Sequence, residues 1–159
     1  MKKISILLGL LLIVTSCSEP DNLINDVLDN YTNGAVIRTI ASSGEYNFYA
    51  PATSIFSATI EEHDTESGAL MQNIEIYVSL NGGTEALLQT LQPSEFTTGP
   101  TGLPRTDISV SLAAATGALG LSSSQYTGGD SVGIRLQLNL TDGRSFSAEN
   151  ATGSMTGSY

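Results

Sequence analysis

The sequence predicts an all-β protein, folded as a two-layer antiparallel sandwich with one short helical turn. Its strand-like segments are short and separated by Gly, Pro, Asn or Ser. Several segments alternate apolar and polar residues, and no segment has the pattern of the long crossover helices that parallel strands require. With 159 residues, 40% of them hydrophobic and 14% charged, the chain has the size of one globular domain. A small closed barrel is the alternative architecture.

Eight segments are predicted to be strands, and several of them have the pattern of a strand with one buried and one solvated face. The clearest alternation places Ile74, Ile76 and Val78 on one face of a strand, and a longer alternation runs from Val132 to Leu140. The predicted strands span residues 36–40, 46–50, 54–62, 72–80, 86–91, 107–112, 131–140 and 144–149.

A turn signal at residues 141–143 determines the register of the last hairpin. A two-residue loop would place Phe146 on the solvated face, whereas a three-residue loop with Gly143 in the left-handed conformation places it in the core. We therefore expect the three-residue loop. The predicted cross-strand pairs are Leu138 with Phe146 and Leu136 with Ala148.

One internal stretch, residues 112–121, is rich in alanine and favours a helix. Its two glycines limit the helix to one or two turns. Leu112, Ala115 and Leu119 are spaced so that they share one helix face.

The N-terminus has the pattern of a signal peptide over residues 1–16. Lys2 and Lys3 precede about a dozen apolar residues, fewer than the ~20 that a membrane-spanning helix needs. A cleaved leader is therefore expected rather than a transmembrane anchor.

The only cysteine, Cys17, directly follows Val14-Thr15-Ser16, and this segment resembles a bacterial lipobox. The resemblance implies that cleavage falls before Cys17 and that lipid is attached to its thiol and its new amino group. The alternative is cleavage elsewhere, which would leave a lone free or buried cysteine.

The predicted organisation is a signal peptide at 1–16, a lipidated cysteine and tether at 17–34, and a sandwich domain at 35–159. The full chain has a net charge of −10, and without the signal peptide sixteen acids stand against four arginines, a net charge of −12. This charge argues against nucleic acid as a partner and against attraction to anionic lipid headgroups. We expect the lipid, rather than the protein surface, to hold the domain at a membrane.

Several turns and strand edges resemble those of uncharacterised surface lipoproteins of the Bacteroidota. The resemblance covers most of residues 31–159 and is carried by residues 33–40, 61–64, 96–105, 129–130 and 140–144. It implies an immunoglobulin-like domain, of the kind encoded near starch-utilisation-type nutrient importers, and no catalytic residue. The acids Glu19 and Asp21 are similar to the signal that sends such lipoproteins to the outer face of the outer membrane. Members of this group continue beyond the position of Tyr159.

The densest acidic run surrounds the only histidine, His63. One interpretation is a calcium site, since carboxylate oxygens are the ligands that this cation prefers. The alternative is a solvated strand end and turn, because the run does not match a spaced calcium loop and one histidine is too few for zinc. A catalytic centre around this histidine is disfavoured. The run consists of Glu61, Glu62, His63, Asp64 and Glu66.

Tyrosines are the candidates for a sugar-stacking surface, because the chain has no tryptophan and only 6% aromatic residues. Core packing of at least one face around Tyr46 and Phe48 is the alternative. A glycan-binding role would require several of these side chains to be exposed and grouped. The candidates are Tyr46, Tyr49, Tyr77 and Tyr126.

Two further features are a three-residue motif at 130–132 and two Gly-Gly pairs. Asp130-Ser131-Val132 resembles the short O-glycosylation motif of exported Bacteroidota proteins, so Ser131 is a candidate modification site. Gly82-Gly83 and Gly128-Gly129 lack a following helix and lysine, and we expect turn glycines rather than phosphate-binding loops.

The sequence favours a lipid-anchored binding or accessory protein of an outer-membrane assembly, facing the cell exterior, with no catalytic activity, metal or cofactor. The membrane, through the N-terminal lipid, and an outer-membrane protein complex are the expected partners. A glycan-binding module is the first alternative. A small hydrolase with a carboxylate pair is the second, since sixteen acids always offer such pairs.

Overall fold

The computed structural model describes residues 33–150, which form two antiparallel sheets of four strands each. The two-layer all-β sandwich predicted from the sequence is confirmed. The predicted signal peptide, Cys17 and most of the tether lie outside the described residues. The strands are β1 (Val36–Ser43), β2 (Ile55–His63), β3 (Met71–Leu80), β4 (Ala86–Leu91), β5 (Thr97–Thr98), β6 (Pro104–Ser111), β7 (Val132–Leu140) and β8 (Ser145–Ser147).

The strand order is that of an immunoglobulin sandwich. One sheet has the order β1-β2-β6-β5 and the other β4-β3-β7-β8. With the strands lettered in chain order, these are the A-B-E-D sheet and the C-F-G sheet extended by one C′ strand. We call them the ABED sheet and the C′CFG sheet.

The core lies between the inner faces of the two sheets. The predicted alternation in β3 and β7 is confirmed, since Ile74, Val78 and Leu138 on the predicted core face have no exposed surface. Each such aliphatic side chain contributes about 1.5–3 kcal/mol by leaving water. The remaining core side chains are Ala35, Ala58, Ile60, Met71, Ile76, Leu91, Ile108, Val110, Ala115 and Leu140.

The last hairpin has the predicted register at its closed end. Gly143 adopts a φ of 86°, and Leu138 pairs with Phe146. The second predicted pair, Leu136 with Ala148, does not form, because β8 ends at Ser147.

The segment 46–50, predicted as a strand, is instead a loop of turns between β1 and β2. The Asn47 carboxamide oxygen accepts the backbone N–H of Tyr49 at 2.9 Å, and the Asn47 carbonyl accepts that of Ala50 at 3.0 Å. Such local hydrogen bonds compete with a strand ladder, and Pro51 removes a further donor. The short strand β5 was not predicted.

The predicted helical turn is confirmed as α1, Leu112–Ala118. The Ser111 hydroxyl oxygen caps its N-terminus by accepting the N–H of Ala114 at 3.0 Å. Leu112 and Ala115 are buried and Leu119 packs against the core, as the spacing predicted. None of the described helices is long and apolar enough to span a membrane.

The loops that connect the strands lie at the two ends of the sandwich. We call one the N-terminal end, because Arg144 there donates a hydrogen bond to the carbonyl of Asn33. The loops 64–70 and 99–103 lie at the same end. The opposite end, which we call the aromatic end, consists of residues 44–54, 81–85 and 112–131. Nine-residue strands such as β7 separate the two ends by about 30 Å.

Candidate binding surface at the aromatic end

Three of the four candidate tyrosines come together at the aromatic end. Phe48 packs edge-to-face on Tyr49, with ring centroids 5.3 Å apart, and on Tyr126, at 5.6 Å. Tyr46 lines the same shallow surface. The Tyr49 ring is 90% exposed, the most exposed large hydrophobic side chain among residues 33–150. The sequence predicted Tyr46, Tyr49 and Tyr126 as candidates, but it assigned the first two to a strand.

The loop that carries Tyr49 is held by a dense set of hydrogen bonds. The Ser54 hydroxyl donates to the carbonyl of Glu45 at 3.0 Å and accepts the backbone N–H of Asn47. Ser54 also donates its own N–H to the carbonyl of Ala50 at 3.0 Å. An exposed aromatic ring on a braced loop loses little conformational entropy when a ligand covers it.

Tyr46 supports the surface from below. Its hydroxyl donates to the carbonyl of Val110 at 3.0 Å, and partial burial raises the pKa of the phenol. The ring is half-buried, so Tyr46 has the structural role that the sequence left open for this segment.

A shallow pit of about 50 Å³ lies beside these rings. Its wall includes Tyr126, Gly128 and Val132. Pockets for drug-sized molecules occupy about 300–1,000 Å³. The aromatic end therefore offers an open surface with a small pit rather than an enclosed site.

Asp130 braces the rim of this surface. Its carboxylate accepts the side-chain N–H of Asn81 at 2.9 Å and the backbone N–H of Thr127 at 2.7 Å. The hydrogen bond from Asn81, followed by that from Thr127, lowers the pKa of Asp130, so the group is charged at neutral pH. Next to it, Ser131 is exposed and is held through its backbone N–H by Asn81. Glycosylation of Ser131 remains a prediction.

Tyr77 does not belong to this cluster. It lies half-buried on the outer face of the C′CFG sheet, where its hydroxyl donates to Glu75 at 2.9 Å. The guanidinium carbon of Arg135 lies 4.4 Å from the centre of the ring. Tyr77, Glu75 and Arg135 thus form a row of side chains that interact with one another on this face.

All four arginines are engaged with carboxylates, and only Arg135 has its partner at the aromatic end. Arg38 and Arg105 bind Glu61, and the other two pairs are Arg135 with Glu85 and Arg144 with Asp142. The described residues contain no lysine. The charged groups at the aromatic end, Glu45, Glu85 and Asp130, are therefore all acidic.

The acidic run around His63 is divided by the alternation of β2. Glu61 points to the outer face of the ABED sheet, between Arg38 on β1 and Arg105 on β6, which are its direct cross-strand partners. Arg105 donates to it at 2.6 Å and the Thr101 hydroxyl at 2.5 Å. The hydrogen bond from Thr101, with those from the two arginines, lowers the pKa of Glu61 to about 2.

Glu62 points the other way, into the end of the core, and has no exposed surface. Neither carboxylate oxygen has a hydrogen-bond partner among the described residues. Burial, and then the charge of Asp64, raise the pKa of Glu62 to about 7. The sequence interpretation included Glu62 in the acidic run but missed its burial, although Ala58 and Ile60 place Glu62 on the core face of β2 by simple alternation.

Asp64 organises the following loop. Its carboxylate accepts the backbone N–H groups of Glu66 at 2.7 Å, Gly68 at 2.8 Å and Leu70 at 2.9 Å. The solvated turn considered from the sequence is thus wrong for Glu61, Glu62 and Asp64, which are all buried. Nor do the side chains converge as calcium ligands, since residues 33–150 hold no cluster of three or more His, Cys, Asp or Glu suited to a metal.

Comparisons of the chain with protein-family models, curated proteins and solved structures gave no match.

Proposed function

We propose that this protein is a lipid-anchored, non-enzymatic binding protein of the outer cell surface, with the aromatic end as its binding surface. The observation that carries the proposal is the Tyr49 ring, 90% exposed on a loop that internal hydrogen bonds hold in place. An aromatic side chain that stays exposed to water contributes nothing to the stability of the fold through burial. Rigid aromatic residues on loops are typical anchors for ligands.

The position of Asn33, the first described residue, supports this arrangement. Asn33 lies at the end opposite to Tyr49, and residues 17–32 connect it to Cys17. A lipid on Cys17 would hold the N-terminal end toward the membrane and leave the aromatic end facing outward. The negative net charge agrees with this orientation, because the domain is repelled by anionic headgroups.

A binding role also agrees with the state of the buried carboxylates. Glu61 is saturated by three donors, and Glu62 is enclosed in the core. Neither group is open to a substrate. The resemblance to surface lipoproteins encoded near nutrient importers favours an accessory subunit of an outer-membrane assembly.

The anchor is tested by the mass of residue 17 in protein purified from its own membranes. We expect a mature chain that begins at Cys17 and carries acyl chains. An unmodified Cys17 would refute the anchoring. Purification in mild detergent should co-purify an outer-membrane complex, and a protein recovered alone would refute the accessory role.

The binding surface is tested by photo-crosslinking in the native cells. The full-length protein is produced with p-benzoylphenylalanine in place of Tyr49, and in place of Tyr77 as the matched control. We expect an adduct at position 49 and none at position 77. No adduct at 49, or equal adducts at both positions, would refute the aromatic end as the binding surface.

A further inference from the structure

We infer that the aromatic end binds an uncharged saccharide, with Tyr49 as the stacking platform. This inference rests on the proposed function, because it assigns a ligand class to the same surface.

The shape of the surface favours a ligand that stacks. The face of Tyr49 is open, while Phe48 meets both Tyr49 and Tyr126 edge-to-face at 76° and 78°. An aromatic ring with a free face offers a flat apolar surface and a negative potential. The C–H face of a pyranose ring matches both properties. An aromatic cage would have to enclose an ammonium ion, whereas Tyr49 is 90% exposed and lies outside the lining of the pit.

The dimensions favour a sugar over a protein or an enclosed small molecule. The pit of about 50 Å³ beside the rings has room for one substituent, such as a hydroxymethyl group. A stable protein interface buries more than about 1,000 Å². Of the other exposed large hydrophobics among the described residues, Ile40 lies in the middle of β1, Ile55 is the first residue of β2 and Leu87 lies on β4, and none of the three lines the pit beside the rings.

The rim supplies hydrogen-bonding groups. Thr127, Gly128 and Gly129 border the pit and are exposed, and the backbone of the two glycines and the Thr127 hydroxyl can donate to and accept from ligand hydroxyls. The contacts of Asp130 with Asn81 and Thr127 hold this rim in one conformation. A saccharide needs such polar groups next to a stacking ring.

The charges exclude an acidic sugar. Every arginine is paired with a carboxylate, Arg135 with Glu85 of the aromatic end itself, and Glu45 and ionised Asp130 remain there without an arginine partner among the described residues. Uronate, sulfate or phosphate groups would meet like charge with no counter-ion. The ligand is therefore an uncharged saccharide.

Affinity electrophoresis of the full-length protein in mild detergent tests this inference. The native gels contain neutral polysaccharides (starch, mannan, xylan or galactan) or anionic ones (polygalacturonate or chondroitin sulfate). We expect a neutral polysaccharide to retard the protein and the anionic ones not to. Tyr49→Ala should weaken the retardation about tenfold or more, since the stacking surface is lost.

The matched variants separate binding from folding. Tyr49→Phe keeps the ring and should bind nearly as the unaltered protein does. Tyr77→Ala removes a tyrosine on the outer face of the C′CFG sheet and should bind normally.

Four outcomes would each overturn the inference. They are retardation by no neutral polysaccharide, equal retardation by the anionic ones, competition by choline, and full binding by Tyr49→Ala. A protein adduct at position 49 without polysaccharide retardation would refute the saccharide and leave the binding surface standing. The absence of any adduct would refute the surface itself.

Discussion

Glu61 and Glu62 are adjacent in β2, and both side chains are fully buried, yet their electrostatic environments are opposite. Glu61 lies on the outer face of the ABED sheet and is held by Arg38, Arg105 and Thr101, and its pKa falls to about 2. Glu62 lies on the core face without a partner among the described residues, and its pKa rises to about 7. Burial alone therefore does not decide the charge of a carboxyl group. The donors around it do.

Glu61 and Glu62 make the stability of the fold depend on pH in opposite directions. The lowered pKa of Glu61 stabilises the fold above pH 4.5, and this contribution is lost as the pH falls from 4.5 to about 2. The raised pKa of Glu62 means that the folded state binds a proton more tightly than the unfolded state. Its contribution is present below pH 4.5 and is lost as the pH rises from 4.5 to about 7.

The largest effect is expected for Glu61→Gln. The change leaves Arg38 and Arg105 without their counter-charge while the amide stays buried between them. We expect a larger decrease in Tm at pH 7 than for any other substitution proposed here, measured by thermal unfolding. The control is Asp107→Asn on the same sheet face, an exposed group that accepts only from Thr59. An equal Tm for Glu61→Gln and this control would contradict the role assigned to the cluster.

Glu62→Gln should have the opposite effect. The amide mimics the protonated acid, so the cost of burying a charge disappears. The shift from 4.5 to about 7 corresponds to a gain of about 3 kcal/mol in the free energy of unfolding at pH 8. No gain is expected at pH 4, where Glu62 is already neutral. Denaturant unfolding at both pH values measures the difference, and a gain independent of pH would show that packing, not charge, is responsible.

Asp64→Ala tests what raises the pKa of Glu62. The substitution removes the acceptor for three backbone N–H groups of the following loop and should cost about 2 kcal/mol. It also removes the neighbouring negative charge, so the pKa of Glu62 should fall toward its usual range. The pH profile of unfolding would then shift to lower pH. Asp64→Asn, which keeps one acceptor oxygen, should lose less stability.

At the aromatic end, Tyr46 has a hydrogen-bond partner and Tyr49 is open to solvent. The expected changes in the free energy of unfolding are smaller there than for Glu61 and Glu62. Tyr46→Phe removes the hydroxyl that donates to Val110 and should cost about 1 kcal/mol. Tyr49→Ala should change the free energy of unfolding by less than about 0.5 kcal/mol, because the ring is 90% exposed. A large loss on Tyr49→Ala in denaturant unfolding would show that the ring is structural and would weaken the binding proposal.

Local patterns were enough to predict most of the architecture. Alternation in β3 and β7 identified Ile74 and Leu138 as core residues, and Gly143 set the register of the final hairpin. The alanine-rich residues 112–121 predicted α1, which Ser111 caps in the structure. These features depend on a few neighbouring residues, because side-chain direction in a strand and the cap of a helix are local properties.

The tertiary structure decided the rest. Phe48 and Tyr126 are far apart in sequence and pack together only because the loop 44–54 and the segment after α1 lie at the same end of the sandwich. The state of Glu61 depends on which strands flank β2, since its partners come from both neighbours. Alternation by itself determines that Glu61 and Glu62 face opposite ways. Only the packing of the sheets determines that one meets two guanidinium groups and the other meets the core, because those contacts join residues that the sequence does not place together.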